Sequence, residues 1–66
     1  MKPLYRTTCY RNDEKITTDS NDLGELIINM VRRLKEEGYE RATLFGLTTS
    51  GDYMVCSTFS ANDYKN

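Results

Sequence analysis

The chain has 66 residues, nine basic, ten acidic and no histidine, for a formal net charge of −1, so no long-range field draws it to nucleic acid or to an anionic membrane. At this length it is expected to form one domain, residues 1–66, burying only about 60% of the surface its unfolded form exposes, and such thin cores often lean on a disulfide, a metal or a second subunit. A metal site is not expected, because there is no histidine and the two cysteines, Cys9 and Cys56, are far apart, and no cofactor motif is present.

Leu4–Arg11 (LYRTTCYR) predicts a strand, Asn12-Asp13 a turn and Glu14–Thr18 (EKITT) the returning strand. A two-residue loop sets Arg11 opposite Glu14, Tyr10 opposite Lys15 and Cys9 opposite Ile16. One face of this hairpin then carries Tyr5, Cys9 and Ile16 and is apolar. The other carries Arg6, Thr8, Tyr10, Lys15 and Thr17 and is wet, as in a half-buried antiparallel pair.

Asp19–Asn21 is a polar corner leading into Asp22–Gly38 (DLGELIINMVRRLKEEG), an amphipathic helix. Leu23, Leu26, Ile27, Met30, Val31 and Leu34 fall on one arc of the helical wheel; Glu25, Asn29, Arg32, Arg33 and Glu36 fall on the opposite arc. Asp22 with Glu25 three residues on fits a capping box, with Ser20 and Asn21 as rival caps, and Gly38 suits a left-handed stop. Two residues break the pattern. Gly24 costs up to about 1 kcal/mol relative to Ala in a helix interior, and Ile28 sits outside the apolar arc. Either a loop or the hairpin covers Ile28, or Gly24 lets another backbone approach and Ile28 packs on it.

Arg41–Thr49 (RATLFGLTT) and Asp52–Phe59 (DYMVCSTF) predict a second hairpin turning at Ser50-Gly51. In that register Leu47 opposes Met54 and Phe45 opposes Cys56 on one face. Ala42 opposes Phe59, Leu44 opposes Ser57, Gly46 opposes Val55 and Thr48 opposes Tyr53 on the other. Both faces are apolar, and one helix covers only one of them. The remainder, Ser60–Asn66 (SANDYKN), is polar and expected to fray.

Nucleophilic and acid–base catalysis need a titrating partner beside the nucleophile. Without histidine the thiols lack the commonest one, and both lie mid-strand, where a cysteine is usually a small buried hydrophobe. Cys9 and Cys56 are therefore expected to be buried and quiet, no catalytic residue is assigned, and the chain is not expected to be an enzyme. The opening MKPLYRTTCYR lacks an apolar h-region, and no stretch is long enough to span a bilayer. The expected location is thus the cytoplasm, where both cysteines are thiols; a disulfide between them stays open for an exported chain. The wet face of the first hairpin, Arg6, Tyr10 and Lys15 with Arg11 close by, interleaves cations with an aromatic, as single-stranded nucleic-acid binders do. Asp13 and Glu14 at the same turn weigh against it.

Leu26–Ser60 resembles small orphan proteins encoded by phages and prophages. The shared layout is a helix, the glycine corner EEGYE, the apolar strand ATLFGL, a Ser-Gly-Asp turn and the strand YMVCSTFS. The resemblance implies an accessory protein that binds a host protein and inhibits or redirects it.

The sequence thus predicts an α+β domain of order ββαββ, an antiparallel sheet with the helix on one face. The leading function is a non-enzymatic protein-binding module, a homodimer or the partner of a host protein. Its candidate interface is Phe45, Leu47 and Met54 or, on the other face, Leu44, Tyr53 and Val55, with Gly24 and Ile28 joining if subunits pack edge to edge. The rival is single-stranded nucleic-acid binding through Arg6, Tyr10, Arg11 and Lys15.

Overall fold

Two hairpins flank one helix and merge into a single antiparallel sheet with the helix across one face, the expected ββαββ arrangement. The computed structural model describes residues 1–64. In chain order the elements are β1 (Tyr5–Arg11), β2 (Glu14–Ser20), α1 (Leu23–Glu36), β3 (Arg41–Leu47) and β4 (Tyr53–Ser60), and the sheet order is β2-β1-β3-β4. The helix carries the chain across β1, so that β3 pairs antiparallel with the free side of β1. Among the described residues, no helix is long and apolar enough to cross a membrane.

The first hairpin has the expected register, with Arg11 opposite Glu14, Tyr10 opposite Lys15 and Cys9 opposite Ile16. Its tight turn places Asn12 at φ 50°, a left-handed conformation that asparagine tolerates better than most residues. β2 runs two residues beyond Thr18, to Ser20. The helix starts where Asp22 Oδ1 accepts the Glu25 N–H at 3.1 Å. Of the rival caps, Ser20 Oγ accepts the Asp22 N–H at 2.9 Å and Asn21 Oδ1 accepts the Leu4 N–H at 2.8 Å, so Asp22 is the cap. At the exit, the N–H groups of Glu37 and Tyr39 both reach the Arg33 carbonyl, at 3.1 and 3.3 Å, and Gly38 takes φ 78°, where a side chain would be strained.

Leu26, Met30 and Leu34, spaced one turn apart, form the buried stripe of α1. Met30 and Leu34 pack on Cys9 and Ala42, which face each other on the two central strands, and Tyr39 closes the end of this core. Arg33 Nη1 donates to Thr18 Oγ1 at 3.0 Å, which sets that flank of the helix over β2. Two expectations fail at the chain's end. The loop of the second hairpin is Thr48–Asp52, wider than a two-residue turn, and is closed by the Thr48 N–H on the Asp52 carbonyl at 2.7 Å. The tail expected to fray continues β4 to Ser60 and then forms a 3₁₀ turn, Ala61–Tyr64. Ala61 and Tyr64 pack against the core, and the Ala61 N–H bonds the Glu40 carbonyl at 2.9 Å. The two apolar side chains in SANDYKN supply the reason. Residues 65 and 66, part of that expected tail, lie outside the described residues.

Among the described residues one buried side-chain polar atom is unsatisfied. Thr7 is fully buried and its Oγ1 has no hydrogen-bond partner, which costs roughly 1–3 kcal/mol. Thr7→Val keeps the β-branched shape and removes the stranded hydroxyl. It should stabilise the fold by about 1 kcal/mol, seen as a higher denaturant midpoint at unchanged slope. A lower midpoint would mean that the hydroxyl has a partner.

Candidate interaction surfaces

β4 pairs with β3 and, among the described residues, has no strand on its other side. Its sequence, YMVCSTFS, carries no charge and no proline, two of the usual devices that blunt a sheet edge. The opposite edge, β2, carries Glu14, Lys15 and Asp19. Near its C-terminal end β4 follows the expected register, with Ala42 opposite Phe59 and Leu44 opposite Ser57. Between Leu44 and Phe45 the register shifts by one, so that Phe45 faces Val55, Gly46 faces Met54 and Leu47 faces Tyr53. The extra residue is Cys56. A Cβ built on Gly46 would lie 3.1 Å from Cys56 Sγ, so the missing side chain of Gly46 makes room for the displaced thiol.

This bulge corrects the expected faces of the second hairpin. Val55 and Tyr53 move to the open side of the sheet with Phe45 and Leu47, and Met54 moves to the helix side with Leu44. The eight candidate interface residues therefore fall into three places. Leu44 and Met54 are on the helix side, Phe45, Leu47, Tyr53 and Val55 on the open side, and Gly24 and Ile28 on the outer helix flank. Met54 and Val55 are 63% and 55% exposed and Ile28 is 70% exposed. No loop or hairpin covers Ile28, and beside Gly24 the nearest atom is the capping Asp22 carboxylate at 3.5 Å. Ile27, Ile28 and Val31 line a shallow depression along α1. Ile27 and Val31 lie on the flank opposite Arg33, which faces β2, and pack against the core, while Ile28 points away from the sheet.

The open side of the sheet collects the basic and aromatic residues. Read across the strands, Lys15, Tyr10 and Arg41 form one row and Asp19, Arg6, Phe45 and Val55 another. Between them runs a row of four threonines, Thr17, Thr8, Thr43 and Thr58, one from each strand. The Arg41 guanidinium lies 4.2 Å from the centre of the Tyr10 ring, and Arg6 lies 4.0 Å from that of Tyr53. Tyr53 Oη donates to the Pro3 carbonyl at 2.7 Å, which ties the N-terminal segment to this face. Arg6 also forks onto Asp19, at 2.7 and 3.0 Å, and so holds that carboxyl below its ordinary pKa. The pair's contribution is therefore present above the ordinary carboxylate range and lost as pH falls through the lowered value; being partly exposed, it is small. Arg11 does not belong here. It alternates with Cys9 onto the helix side, where it donates to the Glu37 carbonyl and lies 4.4 Å from the centre of the Tyr39 ring. Arg41, Phe45 and Tyr53 take its place. Strand alternation already put Arg11 with Cys9, whereas the new members needed the β1–β3 pairing.

The thiols differ. Cys9 is fully buried and Cys56 is exposed, which corrects the expectation that both are hidden. Burial raises the pKa of Cys9 despite nearby Arg33, so above the ordinary thiol range unfolding is favoured by ionisation of this group and stability falls as pH rises. Among the described residues no three His, Cys, Asp or Glu side chains cluster as a metal set. In dilute native protein, a thiol reagent should label Cys56 quickly and Cys9 only after denaturation, and Cys56→Ser should abolish the fast phase. Two fast thiols would show that the helix does not cover Cys9.

Comparison with protein-family models, with curated proteins and with solved structures found no match to this chain.

Proposed function

We propose that the chain is a non-enzymatic protein-binding module that self-associates, with β4 pairing antiparallel to β4 of a second copy. The observation that carries this reading is the β4 edge itself, uncharged from Tyr53 to Ser60 and with Met54 and Val55 more than half exposed. A strand edge with no charge and no proline is a template for another strand, here on either side of the bulge at Cys56. A two-fold axis brings the same neutral edge onto itself without like-charge repulsion, whereas the charged β2 edge gains nothing similar. Leu44 and Met54 on one side of the joined sheet, and Val55 on the other, then gain partners, and burying a large apolar side chain contributes roughly 1.5–3 kcal/mol. A host protein offering an edge strand in the cytoplasm would meet the same surface, which is the role that the phage-protein resemblance implies.

Light scattering in the tens of micromolar tests this. The expected result is a dimer, with Met54→Lys/Val55→Lys giving a folded monomer, because lysine on an exposed edge opposes strand addition. A clean monomer of the unaltered chain would sink self-association and leave the edge to a foreign strand.

A further inference from the structure

We propose that the open face of the sheet is a separate binding site, a stacking platform for a short single-stranded nucleic-acid segment. Three aromatic rings, Tyr10 on β1, Phe45 on β3 and Tyr53 on β4, lie on this one face. The pairing places them along a diagonal. Phe45 and Tyr53 are on neighbouring strands one face-position apart, about 8 Å, and Tyr10 is two positions further, about 14 Å from Phe45. That spacing suits two or three splayed bases, the number that a sheet face with aromatics on its central strands stacks.

The charges fit the same occupant. Lys2, Arg6, Lys15 and Arg41 are on this side with Asp19 and Asp52, so four positive charges less two negative leave +2. Residues 1–64 hold eight basic and ten acidic residues, a net −2, so the described residues off this face carry −4, and a phosphate backbone is steered to this side. Arg41 and Arg6 already lie over Tyr10 and Tyr53. Arg41 offers a planar cation on which a base can stack or to which a phosphate can bind, whereas Arg6, forked onto Asp19, offers the outer face of its guanidinium for stacking. In the threonine row between the rings Thr8 is buried and its hydroxyl pairs with that of Thr17 at 3.1 Å, while Thr17, Thr43 and Thr58 are reachable and offer hydroxyls to sugar and base edges. None of this depends on β4 pairing, because the rings and cations are on strand faces and not on the edge.

The test is fluorescence polarisation with a fluorescein-labelled oligothymidylate of about ten nucleotides, in about 50 mM salt, against a duplex control. The single strand should bind in the micromolar range and more tightly than the duplex. Affinity should fall with a log–log salt slope of about −2 to −3, set by three or four phosphate contacts. Tyr10→Ala and Phe45→Ala should each weaken binding by about five-fold or more, as loss of one stacked base requires. Arg41→Glu, at an exposed position, serves if Phe45→Ala unfolds. Met54→Lys alone, on the helix side of β4, opposes strand addition without altering this face and should leave oligonucleotide binding unchanged, so failure of the dimer reading and failure of this one are distinguishable. No binding at 50 mM salt, or binding that Tyr10→Ala and Arg41→Glu leave unchanged, would overturn the proposal. So would variants on this face that abolish self-association while the oligonucleotide is ignored, because the face would then be a protein contact.

Discussion

A single helix lies on a four-stranded sheet, and the difference in width governs the rest of the molecule. Strands about 4.8 Å apart make a sheet roughly 19 Å wide, while a helix with its side chains is about 10–12 Å across. The helix therefore covers about two strands. Arg33 on Thr18 sets it over β2 and β1, and Met30 and Leu34 seat on Cys9 and Ala42 at the centre of the sheet. The deficit falls on β4. The chain repairs one end of that strand by folding Ala61–Tyr64 back against the core, and near the other end Met54, Val55 and Cys56 are left exposed. The molecule is 15 Å thick along its shortest axis, one sheet and one helix deep.

Much of this frame is legible in the sequence, for local reasons. The helix is bounded by Asp22 and Gly38, residues whose capping chemistry needs no tertiary contact, and its buried stripe follows from period alone. The register of the first hairpin follows from a two-residue turn. The second hairpin is different. Ser50-Gly51 signals a tight turn, but the chain uses a five-residue loop and a bulge at Cys56. The wider loop alone moves the strand by one residue, and the bulge restores the expected pairing beyond Leu44. Half the register is thus as anticipated and half is not. The bulge depends on Gly46 and Cys56 lying face to face, a long-range coincidence that no local propensity encodes.

The faces of the sheet show the same division. Alternation along β1 separates Arg6, Thr8 and Tyr10 from Tyr5, Thr7 and Cys9, and counting one more step places Arg11 with the helix. What alternation does not supply is which strand lies next to β1. The β1–β3 pairing brings Arg41 onto Tyr10 and Phe45 beside Arg6, and turns a two-stranded wet patch into a four-stranded surface. Thr7 sits at the cost end of the same arrangement. It continues the threonine-rich composition of β1 onto the buried side, where the hydroxyl finds no acceptor.

Net charge is the weakest guide to such a surface. A total of −1 discourages nucleic acid only if charge is spread evenly, and here it is not. Asp22, Glu25, Glu36 and Glu37 belong to the helix and its caps, where Asp22 and Glu25 favour the helix start and the strands have no use for them. Strand faces that cannot be buried instead carry long cationic side chains, whose stems cover neighbouring rings while their heads stay hydrated. Arg41 over Tyr10 and Arg6 over Tyr53 are both of this kind. With Arg32, Arg33 and Lys35 the helix and its caps carry a net −1, and Asp13, Glu14, Glu40 and Asp63, at turns and strand ends, supply the rest of the negative charge off this face. The segregation of charge follows from the fold's own requirements, and the positive, aromatic face is available without any excess of basic residues in the chain.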